Sequence, residues 1–177
     1  MRWVWLDRFE EFYSRKSARA VKLVSFAEDH VHEQFPAYPV FPHSLVMEGL
    51  AQTGGILLGE ANDFKEKVVL AKIPKAVFHG HATPGDRLDY CAELLELRPE
   101  GGIVALKALK NGELMVDAEI VYAHLDQARE DPLGVKNFVF SKEHLISLLK
   151  TADGSYRAGI KGASDQTAEG GSPPGQI

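Results

Sequence analysis

The sequence predicts an α+β domain in which an antiparallel sheet wraps one long buried helix. The first observation behind this is the stretch from Ser44 to about Glu60, where Leu45, Val46, Met47, Leu50, Ala51, Ile56, Leu57 and Leu58 are interrupted only by Glu48, Gln52, Thr53 and small residues. A helix apolar nearly all round is a buried one. The second is that the following sixty or so residues read as consecutive short strands. The third is Asn111-Gly112, a type I′ hairpin signal, whose second arm places Leu114, Val116, Ala118, Ile120 and Tyr122 on one face. One buried helix followed by an antiparallel run is the pattern of a sheet curled around a helix.

Taken in order, Trp5, Leu6, Phe9, Phe12 and Tyr13 recur at helical spacing, so a short amphipathic helix is expected before the polar run Ser14 to Ser17. Ala20 to Phe26 reads as a strand. Pro36, Pro39 and Pro42 forbid helix or central strand before Ser44, so an ordered loop leads into the long helix. Val68–Ile73 and Ala76–Ala82 are expected as two strands split by Pro74, and Arg87–Leu97 follows the turn Thr83-Pro84-Gly85-Asp86. Beyond Asp126, the Phe138–Phe140 run and a helix capped by Ser141 are expected to pack on the outside. From Thr151 onward there are too few apolar residues to offset the entropy of ordering. The division is therefore residues 1–126 as the folded domain, 127–150 as an extension with a short helix, and 151–177 as a disordered tail.

Composition removes several function classes. A chain of 177 residues with 45% hydrophobic and 25% charged residues is ordinary for one soluble globular domain with an appendage. The net charge of -5 argues against nucleic acid as the main partner, since the binding face of such proteins carries a basic surplus. The single cysteine, Cys91, cannot form an intrachain disulfide, and charges at Arg2, Asp7, Arg8, Glu10 and Glu11 break any secretory signal at the start. No stretch approaches the roughly 18 to 20 apolar residues a membrane span needs. A cytoplasmic protein is expected.

The chemistry lies in the long helix. Glu48 and Gln52 are one turn apart on one face, with Ser44 a turn earlier, making a thin polar stripe on an apolar rod. Two readings fit the stripe: a structural carboxyl satisfied by Gln52 and backbone, or a desolvated carboxyl able to hold and deliver a proton near neutral pH. The proline-rich loop delivers the helix N-terminus at His43 and Ser44, where free N–H groups and the helix dipole favour an oxygen carrying partial negative charge. Carbonyl polarisation beside a proton donor is a reaction class. His79 and His81 alternate onto one strand face, but two imidazoles without a third ligand do not define a metal site, so a solvated face and no metal are expected.

The stretch QFPAYPVFPHSLVMEGLAQTGG (34–55) resembles the signature of the 3-hydroxyacyl-(acyl-carrier-protein) dehydratases, a hot-dog fold family whose pattern runs roughly HFPGxPVxPGxLxxEAxAQxxG. WLDRFEEF and FHGHATPGDRLDY match the same family in consistent order, so the resemblance covers about residues 1–125. It implies a hot-dog domain and an acyl thioester substrate on acyl carrier protein or coenzyme A, within fatty acid or lipid biosynthesis. It also implies no organic cofactor, and a homodimer or higher even oligomer with a site built across the subunit interface. Glu48 matches the family's catalytic acid. The resemblance further places Phe35, Pro36, Tyr38, Ser44 and Gln52 against the substrate.

The departures fall on the chemistry. The family's general base is the His directly before Phe-Pro, where this chain has Gln34, and an amide cannot accept the α-proton. The family's Gly that offers its N–H to the thioester carbonyl is His43 here, and the Gly after Phe-Pro is Ala37. A substitute base is sought in His43 at the helix start, in His32, or in a water relay. In extended chain His32 would lie on the same side as Gln34, at about 6.5–7 Å along the strand. Three functions follow: a dehydratase or hydratase using Glu48 as acid with Gln34 orienting substrate; a hot-dog thioesterase pairing Glu48 with Gln34; or a degenerate acyl- or carrier-binding subunit of a heterodimer.

Overall fold

The computed structural model describes residues 3–33, 36–125 and 147–149. Six strands, β1 (Arg8–Tyr13), β2 (Ser17–Leu23), β3 (Lys67–Phe78), β4 (Arg87–Arg98), β5 (Gly101–Lys110) and β6 (Glu113–Leu125), form one antiparallel sheet. The strand order is β1-β2-β4-β5-β6-β3. A four-residue helix α1 (Asp29–His32) leads into the proline-rich loop, and the long helix α2 (His43–Glu60) packs against β2, β3, β4, β5 and β6. This is the hot-dog arrangement. Val46, Leu50, Leu57 and Leu58 of α2 meet Phe9, Phe12, Leu88, Tyr90, Val104, Leu106 and Ile120 of the sheet in one core.

The expected N-terminal amphipathic helix is instead the edge strand β1. A β-bulge between Phe9 and Glu11 resets the alternation, so Phe9 and Phe12, three residues apart, both point inward opposite Ala20 and Ala18. Helical spacing and a bulged strand therefore leave the same imprint. Pro74 likewise does not split a strand. β3 runs on from Lys67 to Phe78, with register shifts between Leu70 and Lys72 and between Lys72 and Lys75. It is an edge strand, so the missing proline N–H costs no ladder bond. The run expected to reach Ala82 stops at Phe78, and His79–His81 lie beyond it.

The hairpin joins Lys110 to Glu113 through Asn111 (φ 51°) and Gly112 (φ 93°), the two left-handed residues of a type I′ turn. Two glycines let α2 settle on the sheet: a Cβ at Gly54 would stand 2.6 Å from the Tyr122 hydroxyl, and one at Gly49 2.5 Å from the Tyr90 ring. Of the C-terminal extension only Ser147–Leu149 is described; these residues are helical, and Leu149 is buried in the core. Phe138–Phe140, Ser141 and the tail from 151 lie outside the described residues.

Glu60, the last residue of α2, is buried and accepts a hydrogen bond from the Ser14 hydroxyl at 2.7 Å. Desolvation holds its carboxyl above the usual value of 4.5, and the bond from Ser14 only partly opposes this. The folded state thus binds this proton more tightly than the unfolded chain. Stability should fall as pH rises from 4.5 through the folded value, and above that the ionised group carries its full cost. Glu60→Gln is expected to melt a few degrees higher than the parent at pH 8, the two curves converging below pH 4.5. Equal melting temperatures at pH 8 would remove this account.

Candidate active site

The loop from Pro36 reaches α2 through a buried hinge. The Phe41 amide donates to the Ala82 carbonyl at 2.8 Å, and Phe41 is fully buried, which fixes the direction in which Pro42 starts the helix. The Leu45 and Val46 amides turn back to the Pro42 carbonyl at 3.0 and 3.1 Å, and no side chain caps the end. The N–H groups of His43 and Ser44 have no intrahelical acceptor and sit at the positive end of an 18-residue helix. That end is a hydrogen-bond donor for a carbonyl oxygen.

The bulky His43 side chain, where the resembling family has glycine, is folded away from the helix end. Its ring lies between Phe78, at 4.3 Å between centroids and 17° between planes, and His81, at 4.8 Å and 8°. Its Nε2 is 2.9 Å from the Gly80 carbonyl oxygen. A carbonyl only accepts, so Nε2 carries the hydrogen, and Nδ1 is the nitrogen left to take a proton. His79 and His81 are exposed, as expected, but His81 belongs to this stack rather than to a solvated strand face. Among the described residues no group of three or more His, Cys, Asp or Glu is placed to hold a metal.

Glu48 is half-buried in the isolated chain, not enclosed as the apolar pattern around it suggests. Its Oε1 accepts a hydrogen bond from Gln52 Nε2 at 2.9 Å, the i, i+4 pair read from the sequence. Gln52, only 7% exposed, makes two further bonds, neither foreseen: Nε2 donates to the Trp3 carbonyl at 2.7 Å, and Oε1 accepts from the Trp5 amide at 2.9 Å. Both donors of this side chain are thereby engaged. Tyr122 lies close enough for the Glu48 charge to join burial in pushing its phenol pKa up, and its hydroxyl donates to the Ala51 carbonyl at 2.9 Å.

Of the other sequence candidates, Ser44, Pro36, Ala37 and Tyr38 are exposed, Tyr38 at 61%. Gln34 and Phe35 lie outside the described residues. His32 belongs to the last turn of α1, not to the extended chain from which its reach was reckoned. His30, for which the sequence offered no role, packs edge-on against Trp5 and Phe41 at 4.7 and 5.2 Å, and burial lowers its pKa. The Trp3–Trp5 contacts to Gln52 were illegible in the sequence because they are made by backbone groups, which carry no residue signature.

Comparison with known proteins bears on family and fold. Residues 4–124 match the FabA-like domain. The chain is 35% identical over 122 residues to a 3-hydroxyacyl-(acyl-carrier-protein) dehydratase FabZ of Nitratiruptor sp., covering 65% of this chain and 82% of that protein. It is 35% identical over 122 residues to the FabZ of Listeria monocytogenes, covering 68% and 85%. Among solved structures, the dehydratase heterocomplex ApeI:P from Xenorhabdus doucetiae shares the fold with a TM-score of 0.56 at 15% identity, over 72% of this chain and 86% of that one. A hypothetical thioesterase with coenzyme A from Streptococcus pneumoniae shares it with a TM-score of 0.55 at 10% identity, over 67% and 85%.

Proposed function

The chain belongs to the FabA-like domain family, and from that premise we propose that it dehydrates 3-hydroxyacyl thioesters, or hydrates the enoyl product in reverse, in fatty acid or lipid biosynthesis. The observation that carries the proposal is Glu48, held by Gln52 on the helix whose open N-terminus offers the His43 and Ser44 amides. A thioester carbonyl at those amides acquires negative charge as the α-proton leaves, and fixed N–H donors stabilise that charge where it develops. The C2–H electron pair becomes the C2=C3 bond, the C3–O bond breaks, and the departing hydroxyl takes the Glu48 proton to leave as water. No redox or group-carrying cofactor enters this balance.

In this reading His43 has two roles. Its backbone N–H polarises the carbonyl, and its ring, folded against Phe78 and His81, takes the α-proton at Nδ1 by way of a water. Tyr38 and Pro36 are assigned to the substrate's path, and the resemblance gives Gln34 the part of orienting it and Phe35 a part in binding it. His43→Ala is expected to lower kcat about 10²-fold, the lower range for losing a positioned proton acceptor. Retained enoyl formation in His43→Ala would reject the ring as base and leave Glu48 untouched. The primary assay follows enoyl absorbance and free thiol together, with acyl chains on both acyl carrier protein and coenzyme A. Enoyl product supports the dehydratase; thiol release alone makes the chain a thioesterase. A silent parent that gains enoyl formation on Gln34→His is a binding or partner subunit.

The working unit in this proposal is a homodimer or higher even oligomer. β3 lies at an edge of the sheet and leaves Leu70, Ile73 and Val77 exposed at 45%, 41% and 41%, an apolar seam that edge strands usually avoid. Light scattering should give an even multiple of the 19.5 kDa chain; the mass of one chain would overturn this assembly. Among the described residues no helix is long and apolar enough to cross a membrane.

A further inference from the structure

Gln52 is a primary amide, and exchanging its oxygen and nitrogen leaves its shape unchanged. What separates the two orientations is the chemistry of the partners. The Trp5 N–H only donates and faces Oε1 at 2.9 Å, while the Trp3 carbonyl only accepts and faces Nε2 at 2.7 Å. In the flipped amide two donors would confront each other, and two acceptors likewise. Leaving the polar atoms of the buried Gln52 amide unpaired costs about 1–3 kcal/mol for a fully buried group and less at this part-buried contact, so the N-terminal segment favours one orientation. That orientation turns the remaining Gln52 N–H toward Glu48 Oε1 at 2.9 Å.

The consequence falls on the acid. In a neutral carboxyl the C=O oxygen is the stronger acceptor, so the Gln52 N–H on Oε1 favours the proton on Oε2. We propose that the Trp3–Trp5 segment is a positioning strap for the acid: it fixes the Gln52 amide, and Gln52 fixes the deliverable proton on Glu48 Oε2. The inference rests on the reading of Glu48 as the proton donor. Trp5 acts here through Gln52 and is a positioning residue.

The strap is itself held in place. Leu6 is buried, and the Asp7 amide donates to the Val21 carbonyl at 2.6 Å, continuing the segment into β1. The Trp5 ring stands edge-on to Trp3, His30 and Phe41 at 5.1, 4.7 and 6.0 Å. Gly49, next to Glu48, lets the strap lie directly on α2, because a Cβ there would stand 2.9 Å from the Trp5 carbonyl oxygen. His30 belongs to α1 and Phe41 to the hinge before His43. The strap therefore joins the acid to both ends of the substrate loop.

Without the Trp5 N–H one of the two locks on the amide is gone and only the Trp3 carbonyl still opposes a turn; a turned amide presents its oxygen to Glu48 and draws the carboxyl proton onto the amide-facing oxygen, away from substrate. Trp5→Pro removes that N–H. An amide-to-ester exchange at position 5, made with indole-3-lactic acid through suppressor tRNA, removes it while keeping the ring. Both changes are expected to lower kcat about tenfold with KM within about twofold, as for a proton donor knocked out of line, and Trp5→Phe should retain kcat. The second readout is independent of turnover: the infrared C=O band of protonated Glu48, identified by its absence in Glu48→Gln, should move in the ester variant and stay in Trp5→Phe. An unmoved band with unchanged kcat overturns the strap, as does Trp5→Phe behaving like the ester. If the parent forms no enoyl product, the dehydratase reading fails while the infrared band still decides the strap.

Discussion

Glu48→Gln is expected to lose enoyl formation by about 10²–10⁴-fold, the range for removing a positioned general acid. The substituted amide is close to the carboxyl in size and keeps an oxygen at hydrogen-bond distance from Gln52 Nε2, so α2 has no reason to shift. What disappears is a proton that can leave with the hydroxyl. The expected result is a drop in kcat with KM and melting temperature near the parent values. A variant that keeps more than about a tenth of the parental kcat would remove Glu48 from the reaction, since no positioned acid contributes so little. A variant that loses its fold would return the carboxyl to the structural role that the sequence also allowed.

Gly101→Ala is expected to destabilise by about 3 kcal/mol or more, a fall in melting temperature on the order of 10 °C. Gly101 opens β5 after the Pro99-Glu100 turn and holds φ at 155°, a conformation that L side chains rarely adopt. An added Cβ would stand 2.1 Å from the Tyr122 carbonyl oxygen. That neighbour is backbone within the β5–β6 ladder, where Gly101 pairs with Ala123 and Gly102 with Tyr122, so it has no rotamer to escape into. The ladder must open at that end or the turn must rebuild. Tyr122 also ties the sheet to α2 through its hydroxyl on Ala51, so the strain reaches the helix that carries Glu48. Thermal unfolding checks it; a melting temperature within about 2 °C of the parent would mean that the turn relaxes cheaply.

The two errors in reading the elements share a cause. Phe9 and Phe12 at a three-residue interval look helical because the bulge that brings both inward depends on pairing with Ala20 and Ala18 of β2, which is nonlocal. Pro74 reads as a strand break because local rules cannot know that β3 is an edge, where a missing N–H is harmless. At the site, Glu48 and Gln52 were legible as an i, i+4 pair, and the helix start at His43 followed from Pro42. The direction of the His43 ring was not. It is set by Phe78, Gly80 and His81, thirty-five or more residues away.

The sequence by itself determined the buried helix, the hairpin at Asn111-Gly112, the antiparallel run and the polar stripe of Glu48 and Gln52, because each is written in the spacing of neighbouring side chains. The tertiary structure alone decided that the first element is a strand, that the His43 ring is folded against Phe78 and His81, and that the Trp3 and Trp5 backbone clasps Gln52. Those features depend on distant segments meeting through backbone groups and ring faces, and neither leaves a period in the chain.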